Sequence, residues 1–296
     1  MDRLEEMARE LEQSSDFRVL RRLRPRDVFS NIEYERPMLG IVLDTETTGL
    51  DANGAEVIQL AMVKFTYSPD DEVLRVVDTF DGLQEPKSPI PTHITRLTGI
   101  TDEMIAGKSI DPLAVESFVA GSSIIIAHQA RFDRVFVEGV WPIFKTLYWA
   151  CSMEQVPWRE NGFEGTKLAY LLAHFGLFHD GHRAGDDCRA LLHILASPLG
   201  DAGKPVLATL LANAREATIR VFAVDAPYDR KDDLKARNYR WCDGSNGARR
   251  CWWKDIAQRD HEAELAYLRA SVYRRQVDLP TTRITARERY SKNLPR

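Results

Sequence analysis

Residues 41–50 read Ile-Val-Leu-Asp-Thr-Glu-Thr-Thr-Gly-Leu, IVLDTETTGL. Ile41, Val42 and Leu43 have the β-branched and aliphatic character of a buried strand. Asp44 and Glu46 then place two acids near its end. Side chains alternate along a strand, so both carboxylates face the same way. Two unpaired carboxylates in an apolar setting are costly unless a basic side chain or a metal holds them. Gly49 allows a sharp turn just beyond. The acids therefore fall at the carboxyl end of a strand, where open α/β sheets bind ligands.

Outward from this stretch, EVIQLAMVKFTY (56–67) and VLRVVDTF (73–80) are two more apolar runs, separated by the turn residues Ser68, Pro69, Asp70 and Asp71. They predict an antiparallel meander. PIPTHITRLTGIT (89–101) is a link with one short helix. A helix over 111–120 precedes the short strand SSIIIAH (122–128). RFDRVFVEGV (131–140) is helical, with Phe132, Val135, Phe136 and Gly139 along one side. Further helices are expected around 165–175 and 185–197. Three strands followed by alternating helices and strands predict an α/β fold, a mixed central sheet with flanking helices.

The ends differ in character. Residues 1–36 form an N-terminal helix and basic lead-in: Leu4, Met7, Ala8 and Leu11 have helical spacing, and five arginines lie between Arg18 and Arg26. Pro25 stops any helix there. The body spans 37–200. Residues 215–279 read as a small α+β subdomain of β-α-β-β-α order: strand TIRVFAV, helix RKDDLKAR, a hairpin YRWCDGSNGARRCWWK about Asp243–Gly247, and helix HEAELAYLRASVYRR. Residues 280–296 read as a loose basic tail.

The 296 residues are 44% hydrophobic and 28% charged, ordinary for a globular protein. Four cysteines make no disulfide framework, nothing resembles a signal peptide, and no apolar run approaches the roughly 20 residues needed to span a bilayer. A cytoplasmic protein with no membrane partner is the expectation. The net charge of −4 is unevenly spread: from residue 206 onward there are 19 Lys+Arg against 12 Asp+Glu, a surplus of +7, which leaves −11 before it. A basic end on an acidic body fits a polyanion partner, or ordinary variation of a solvated surface.

Two further elements carry acids. AHQARFD ends the strand at 122–128 and opens a helix, placing Asp133 on its first turns. HRAGDDC brings His182 and, five residues on, Asp187 at the start of another helix. Acids from three elements with one histidine make a ligand set. Carboxylates suit Mg²⁺ or Mn²⁺ better than zinc, and the chemistry such a site favours is two-metal phosphoryl transfer.

D-x-E-T-T-G, H-x-A-x-F-D and H-x-x-x-x-D resemble the three signature blocks of the DEDDh 3′→5′ exonucleases, the family that includes the proofreading epsilon subunit of bacterial DNA polymerase III. The similarity covers about residues 39–197, and ITRLTGIT resembles the family's loop between the first two blocks. The resemblance implies a ribonuclease H-like exonuclease fold. It implies that Asp44, Glu46, Asp133 and Asp187 hold two divalent cations, and that His182 is the general base toward the attacking water, since an imidazole exchanges protons near neutral pH. It places Thr45, Thr47 and Thr48 at the terminal nucleotide and Leu97 against bases. His128 is counted on the substrate side, supporting the site by hydrogen bonds rather than ligating metal. The other histidines, His174, His179 and His193, read as helix-face or loop residues. The implied substrate is DNA at single-stranded 3′ ends, with RNA as the nearest alternative and a non-catalytic replisome-binding protein as a second.

In the C-terminal part, Arg237, Arg240, Arg249, Arg250 and Lys254 interleave with Tyr239, Trp241, Trp252 and Trp253. This mixture fits either a single-strand platform or the core of a small hairpin. QVDLP (Gln276–Pro280) loosely resembles the peptide by which bacterial replication proteins bind the sliding clamp. A DNA polymerase or the clamp is thus the expected protein partner.

Overall fold

Strand β1 (Met38–Thr47) pairs antiparallel with β2 (Val57–Tyr67), and β2 pairs antiparallel with β3 (Val73–Leu83). The other edge of β1 pairs in parallel with β4 (Ile124–Ala127), which pairs in parallel with β5 (Trp149–Cys151). The sheet order is thus β3-β2-β1-β4-β5, with the acid-bearing strand in the middle. The computed structural model describes residues 3–201, 203–244, 249–292 and 294. Gly40 lies opposite Phe65 on β2, and any Cβ there would come within 2.6 Å of the Phe65 ring. A glycine is what lets this aromatic ring lie over the strand.

Alternation along β1 sends side chains into two cores. Val42 packs on one face with Ala61, Val63 and residues of helix α7 (Ala184–Ala196). Ile41 and Leu43 pack on the other with helices α4 (Pro112–Val119) and α5 (Ala130–Val140). The link 89–101 carries helix α2 (Thr92–Thr98), closed by Gly99 at φ +70°, and a second short helix, α3 (Asp102–Ile105), follows where one was expected in all. Helix α6 (Leu168–His174) and helix α8 (Val206–Arg215) add to the α7 face, as do Phe163 and Trp158.

Helix α5 buries a different face from the apolar stripe read in sequence. Ala130, Asp133, Phe136 and Val137 point inward with Arg134 and Glu138, whereas Gly139 is exposed. Two charged residues are buried because they satisfy each other and the chain's far end. Arg134 donates to Glu138 (2.6 Å) and to the carbonyls of Arg289 (2.6 Å) and Arg287 (2.7 Å), while Ser291 donates to Glu138 (2.9 Å).

The C-terminal residues form a four-stranded sheet of β6 (Thr218–Val224), β7 (Arg240–Cys242), β8 (Cys251–Ala257) and β9 (Thr281–Ile284), in the order β7-β8-β6-β9. Helices α9 (Lys231–Ala236) and α10 (His261–Tyr267) cover one face, packing on Ile219, Val221, Ala223 and Ile256. Of the expected hairpin turn, Ser245, Asn246 and Gly247 lie outside the described residues.

Two expectations for the chain's end are corrected. From Pro280 to Lys292 the tail is not loose: β9 pairs with β6, Tyr290 is buried in the α5 core, and Arg289 donates to the carbonyls of Ala214 (3.1 Å) and Glu216 (2.7 Å). One of its basic residues, Arg289, is thereby spent on main-chain oxygens. In QVDLP, Leu279 is buried in the C-terminal core and the Pro280 carbonyl accepts from Phe222 (3.0 Å), so this segment is not free to serve as a clamp peptide.

At the other end, helix α1 (Arg3–Glu12) buries none of its residues, and Leu4, Met7 and Leu11 of its apolar stripe are exposed. The segment is tied instead by Arg21, which bonds both Glu5 (2.9 Å) and Glu12 (2.6 Å), and by pairing of Arg21–Arg22 with Leu177–Phe178. Among the described residues no helix is long and apolar enough to cross a membrane.

Candidate active site

Asp44 and Glu46 share a side of β1 with Val42, the side that α7 covers, and α7 carries Asp187 in its first turn. One oxygen from each of Asp44, Glu46 and Asp187 lies within 4.8 Å of the others. Thr45 points the opposite way, toward α5. Its amide (3.1 Å) and hydroxyl (2.9 Å) both donate to Asp133 Oδ1. Four acids thereby gather about one strand: two belong to it, one meets them from α7, and one is held from α5 through Thr45. Asp133 stands outside the tight trio but lines the same cleft, about 490 Å³ in volume.

The acids are crowded, and burial adds to the crowding. Burial first, then the charges of Asp133, Asp187 and Glu46, push Asp44 well above the ordinary carboxylate range. Burial, with Asp187 and Asp133 nearby, pushes Glu46 up to about 7. Burial likewise raises Asp133 to about 7, against the opposing effect of the Thr45 hydrogen bonds. Convergent oxygen ligands that resist ionisation next to one another fit a divalent cation, which would relieve their repulsion.

Asp187 is engaged on both oxygens. The His182 amide donates to Oδ2 (2.8 Å), and His179 Nε2 lies 2.6 Å from Oδ1. His182 itself is exposed at φ +66°, and its ring has no hydrogen-bond partner among the described residues. Its imidazole borders the cleft without being fixed in it. His179 is the site residue that sequence reading missed, having been assigned to a loop. Its side chain is 8% exposed, and its Nδ1 has no partner among the described residues. The available signal was its place in the same FHDGHRAGDD approach as His182.

The other expected residues divide. Leu97 is about half exposed and lines the cleft beside Leu50, which is 87% exposed. Thr45 and Thr47 are buried, and Thr47 donates to the Gly49 carbonyl (2.6 Å), bracing the turn after the acids. Thr48 accepts from the Glu56 amide (2.9 Å) and does not line the cleft. Thr45 and Thr47 line the cleft with their hydroxyls donated to Asp133 and to the Gly49 carbonyl, whereas Thr48 stands outside it. His128 Nε2 lies 2.7 Å from the Thr166 carbonyl, which can only accept, so Nε2 carries the proton and Nδ1 accepts from Ser152 (2.8 Å). Burial lowers His128 to about 4 and keeps it neutral, a brace between strand and loop. Gln59 braces α7, taking the Ala184 amide (3.3 Å) while donating to Asp81 (2.7 Å). Lys167 lines the acidic cleft and pairs with no carboxylate among the described residues.

A central acid-bearing strand in a mixed sheet, with carboxylates converging from two flanking helices, defines a nuclease of the ribonuclease H-like exonuclease fold. The Exonuclease family model matches residues 41–195, more than half of the chain, and the chain belongs to that family. A PolC-type DNA polymerase III of Clostridium perfringens is 33% identical over 162 residues, 52% of this chain but 11% of that protein. A DNA polymerase III subunit epsilon of Treponema pallidum is 27% identical over 170 residues, 54% of this chain and 76% of that one. Among solved structures, exonuclease X in complex with 5′ overhanging duplex DNA is similar over 57% of this chain and 99% of that one, with 24% identity and a TM-score of 0.41. Apo exonuclease I is similar over 63% of this chain and 50% of that one, at 16% identity and a TM-score of 0.46.

Proposed function

We propose that the chain is a metal-dependent 3′→5′ exonuclease that hydrolyses phosphodiester bonds of DNA from single-stranded 3′ ends, releasing nucleoside 5′-monophosphates in proofreading or repair. The observation that supports this most is the convergence of Asp44, Glu46 and Asp187, with Asp133 beside them, in a chain of the Exonuclease family. The polymerase III relatives support a role beside a DNA polymerase, although the match spans only about a tenth of the PolC-type protein.

In this reading Asp44, Glu46, Asp133 and Asp187 would hold two divalent cations, Mg²⁺ or Mn²⁺. When bound, such ions supply positive charge to the phosphoryl, attacking and leaving oxygens. The protein's own part is positional. Thr45 fixes Asp133, and the His182 amide fixes Asp187. The exposed imidazole of His182, which borders the cleft, takes the proton of the attacking water. Leu97 packs against the terminal bases, and Lys167 offsets one phosphate charge at the cleft wall.

The test is a 5′-labelled single-stranded DNA with Mg²⁺, with EDTA, and with the Asp187→Ala protein. A ladder shortening from the 3′ end, seen only with metal and with Asp187, is the expected result. Shortening of a matched RNA but not of DNA would overturn the substrate assignment. No shortening of DNA, RNA or a partial duplex would overturn the enzymatic reading.

A further inference from the structure

The interleaved aromatic and basic residues of the C-terminal sheet are not used by the carboxylate cleft, none of whose lining residues comes from that sheet. The fold sorts them. Tyr239 is buried in the helix-covered core, and Trp253 is buried on the opposite face of the sheet, beneath the Arg220 guanidinium 3.9 Å from its ring centre. Trp241 and Trp252 are direct cross-strand partners on β7 and β8, with ring centres 5.4 Å apart at 60°. Trp252 packs against the core and is half-buried, so it anchors the pair, while Trp241 is 52% exposed on the edge strand.

A cation accompanies them. Arg250 lies two positions before Trp252, one residue outside the start of β8 and exposed. Its Nε reaches across the hairpin to the Asp243 carbonyl (2.9 Å), a neutral partner, and it pairs with no carboxylate among the described residues. Arg240, next to Trp241 in the chain, faces the other way, its guanidinium 5.5 Å from the Trp253 ring centre, and is not part of this group. The stretch from 206 onward, of which this sheet is a part, carries a +7 surplus on a chain that is otherwise acidic.

We propose that Trp241, backed by Trp252 and flanked by Arg250, is an accessory stacking site for single-stranded nucleic acid, separate from the carboxylate cleft. An unpaired base stacks on the free indole, and the Arg250 guanidinium meets the adjoining phosphate. Such a site is indifferent to sequence because every base has a π-face. It would hold the strand between successive cuts. The inference rests on the reading that the chain acts on nucleic acid, but it concerns a different surface and a measurement that needs no turnover.

The experiment is fluorescence anisotropy of labelled oligothymidylate and oligouridylate in EDTA, with wild type, Trp241→Ala, Trp241→Phe and Arg250→Gln. Trp241→Ala should weaken binding about 5- to 150-fold, the worth of one stacked base, with Trp241→Phe recovering part of it. Arg250→Gln should lower the slope of log affinity against log salt by about 0.7, the share of one phosphate on a single strand. Hydrolysis of the p-nitrophenyl ester of thymidine 5′-monophosphate, which fills only the cleft, should be unchanged in both. If wild type binds and cuts oligomers while Trp241→Ala binds them equally well, the accessory site is refuted and the indole belongs to a protein-docking surface. If wild type neither binds nor cuts them, the nucleic-acid reading itself falls.

Discussion

Replacing Arg134 by Met tests how the chain's end is joined to α5, the helix that carries Asp133. Arg134 and Glu138 are 1% and 2% exposed, and the pair is closed by three hydrogen bonds from the guanidinium, two of them to carbonyls about 150 residues away. Methionine fills similar volume but leaves Glu138 a buried carboxylate with, among the described residues, Ser291 and the Lys292 amide, and it takes the guanidinium from the carbonyls of Arg287 and Arg289. Breaking a buried pair from one side costs about 3–5 kcal/mol, a large part of the roughly 5–15 kcal/mol that holds a typical domain. Removing both charges, in Arg134→Met with Glu138→Leu, should cost less than Arg134→Met alone, because no buried charge is left behind. Urea unfolding followed by circular dichroism and tryptophan fluorescence measures both variants. Limited proteolysis reads whether residues 285–292 detach. A loss below about 1 kcal/mol for Arg134→Met, the scale of an exposed pair, would refute the reasoning. So would a double variant less stable than the single one.

Asp44→Ala or Asp187→Ala should abolish turnover while leaving the metal-free fold intact, since either relieves like-charge crowding; activity and thermal melting check this together. Glu46 and Asp133 have folded-state pKa values raised to about 7, so their contribution to stability is fully present below the ordinary carboxylate range and is lost as pH rises through about 7. In EDTA the melting temperature should therefore fall between pH 5 and pH 8, and saturating Mg²⁺ should flatten that fall; a pH-independent melting temperature in EDTA would contradict the crowded site. His182→Ala should lower the rate by about 10²–10⁴ with Mn²⁺ affinity kept, the signature of a proton acceptor. His179→Ala, by freeing Asp187 Oδ1, should change Mn²⁺ affinity measured by paramagnetic relaxation. Equal loss of metal affinity in His182→Ala would remove its assignment as base.

Much of the site was legible because it is local. The period of two in IVLDTET puts Asp44 and Glu46 on one face, and the strand-to-helix junctions AHQARFD and HRAGDDC put Asp133 and Asp187 at helix starts, which is where the structure has them. The same alternation sends Thr45 to the opposite face, toward α5, so its bond to Asp133 was implicit in the pattern. His179 was only half legible: its place in FHDGHRAGDD set it near the site, but that its ring rather than that of His182 meets Asp187 depends on how the loop folds back on α7. The buried face of α5 misled for a different reason: Arg134 and Glu138 interrupt the apolar stripe, and their burial is possible only because carbonyls from residues 287 and 289 arrive to pair with them.

By itself, then, the sequence determined the features that short-range periodicity dictates: a mixed sheet, its central acid-bearing strand, and the three elements that bring four carboxylates to one cleft. Only the tertiary structure decided the features whose partners lie far along the chain. The basic tail became a strand and a buried clasp rather than a loose end, Leu279 was taken into a core, and of four interleaved aromatics Tyr239 and Trp253 were buried while Trp241 stayed in solvent. A polar or basic side chain is buried when distant main-chain oxygens can satisfy it, and composition cannot say where those oxygens will be.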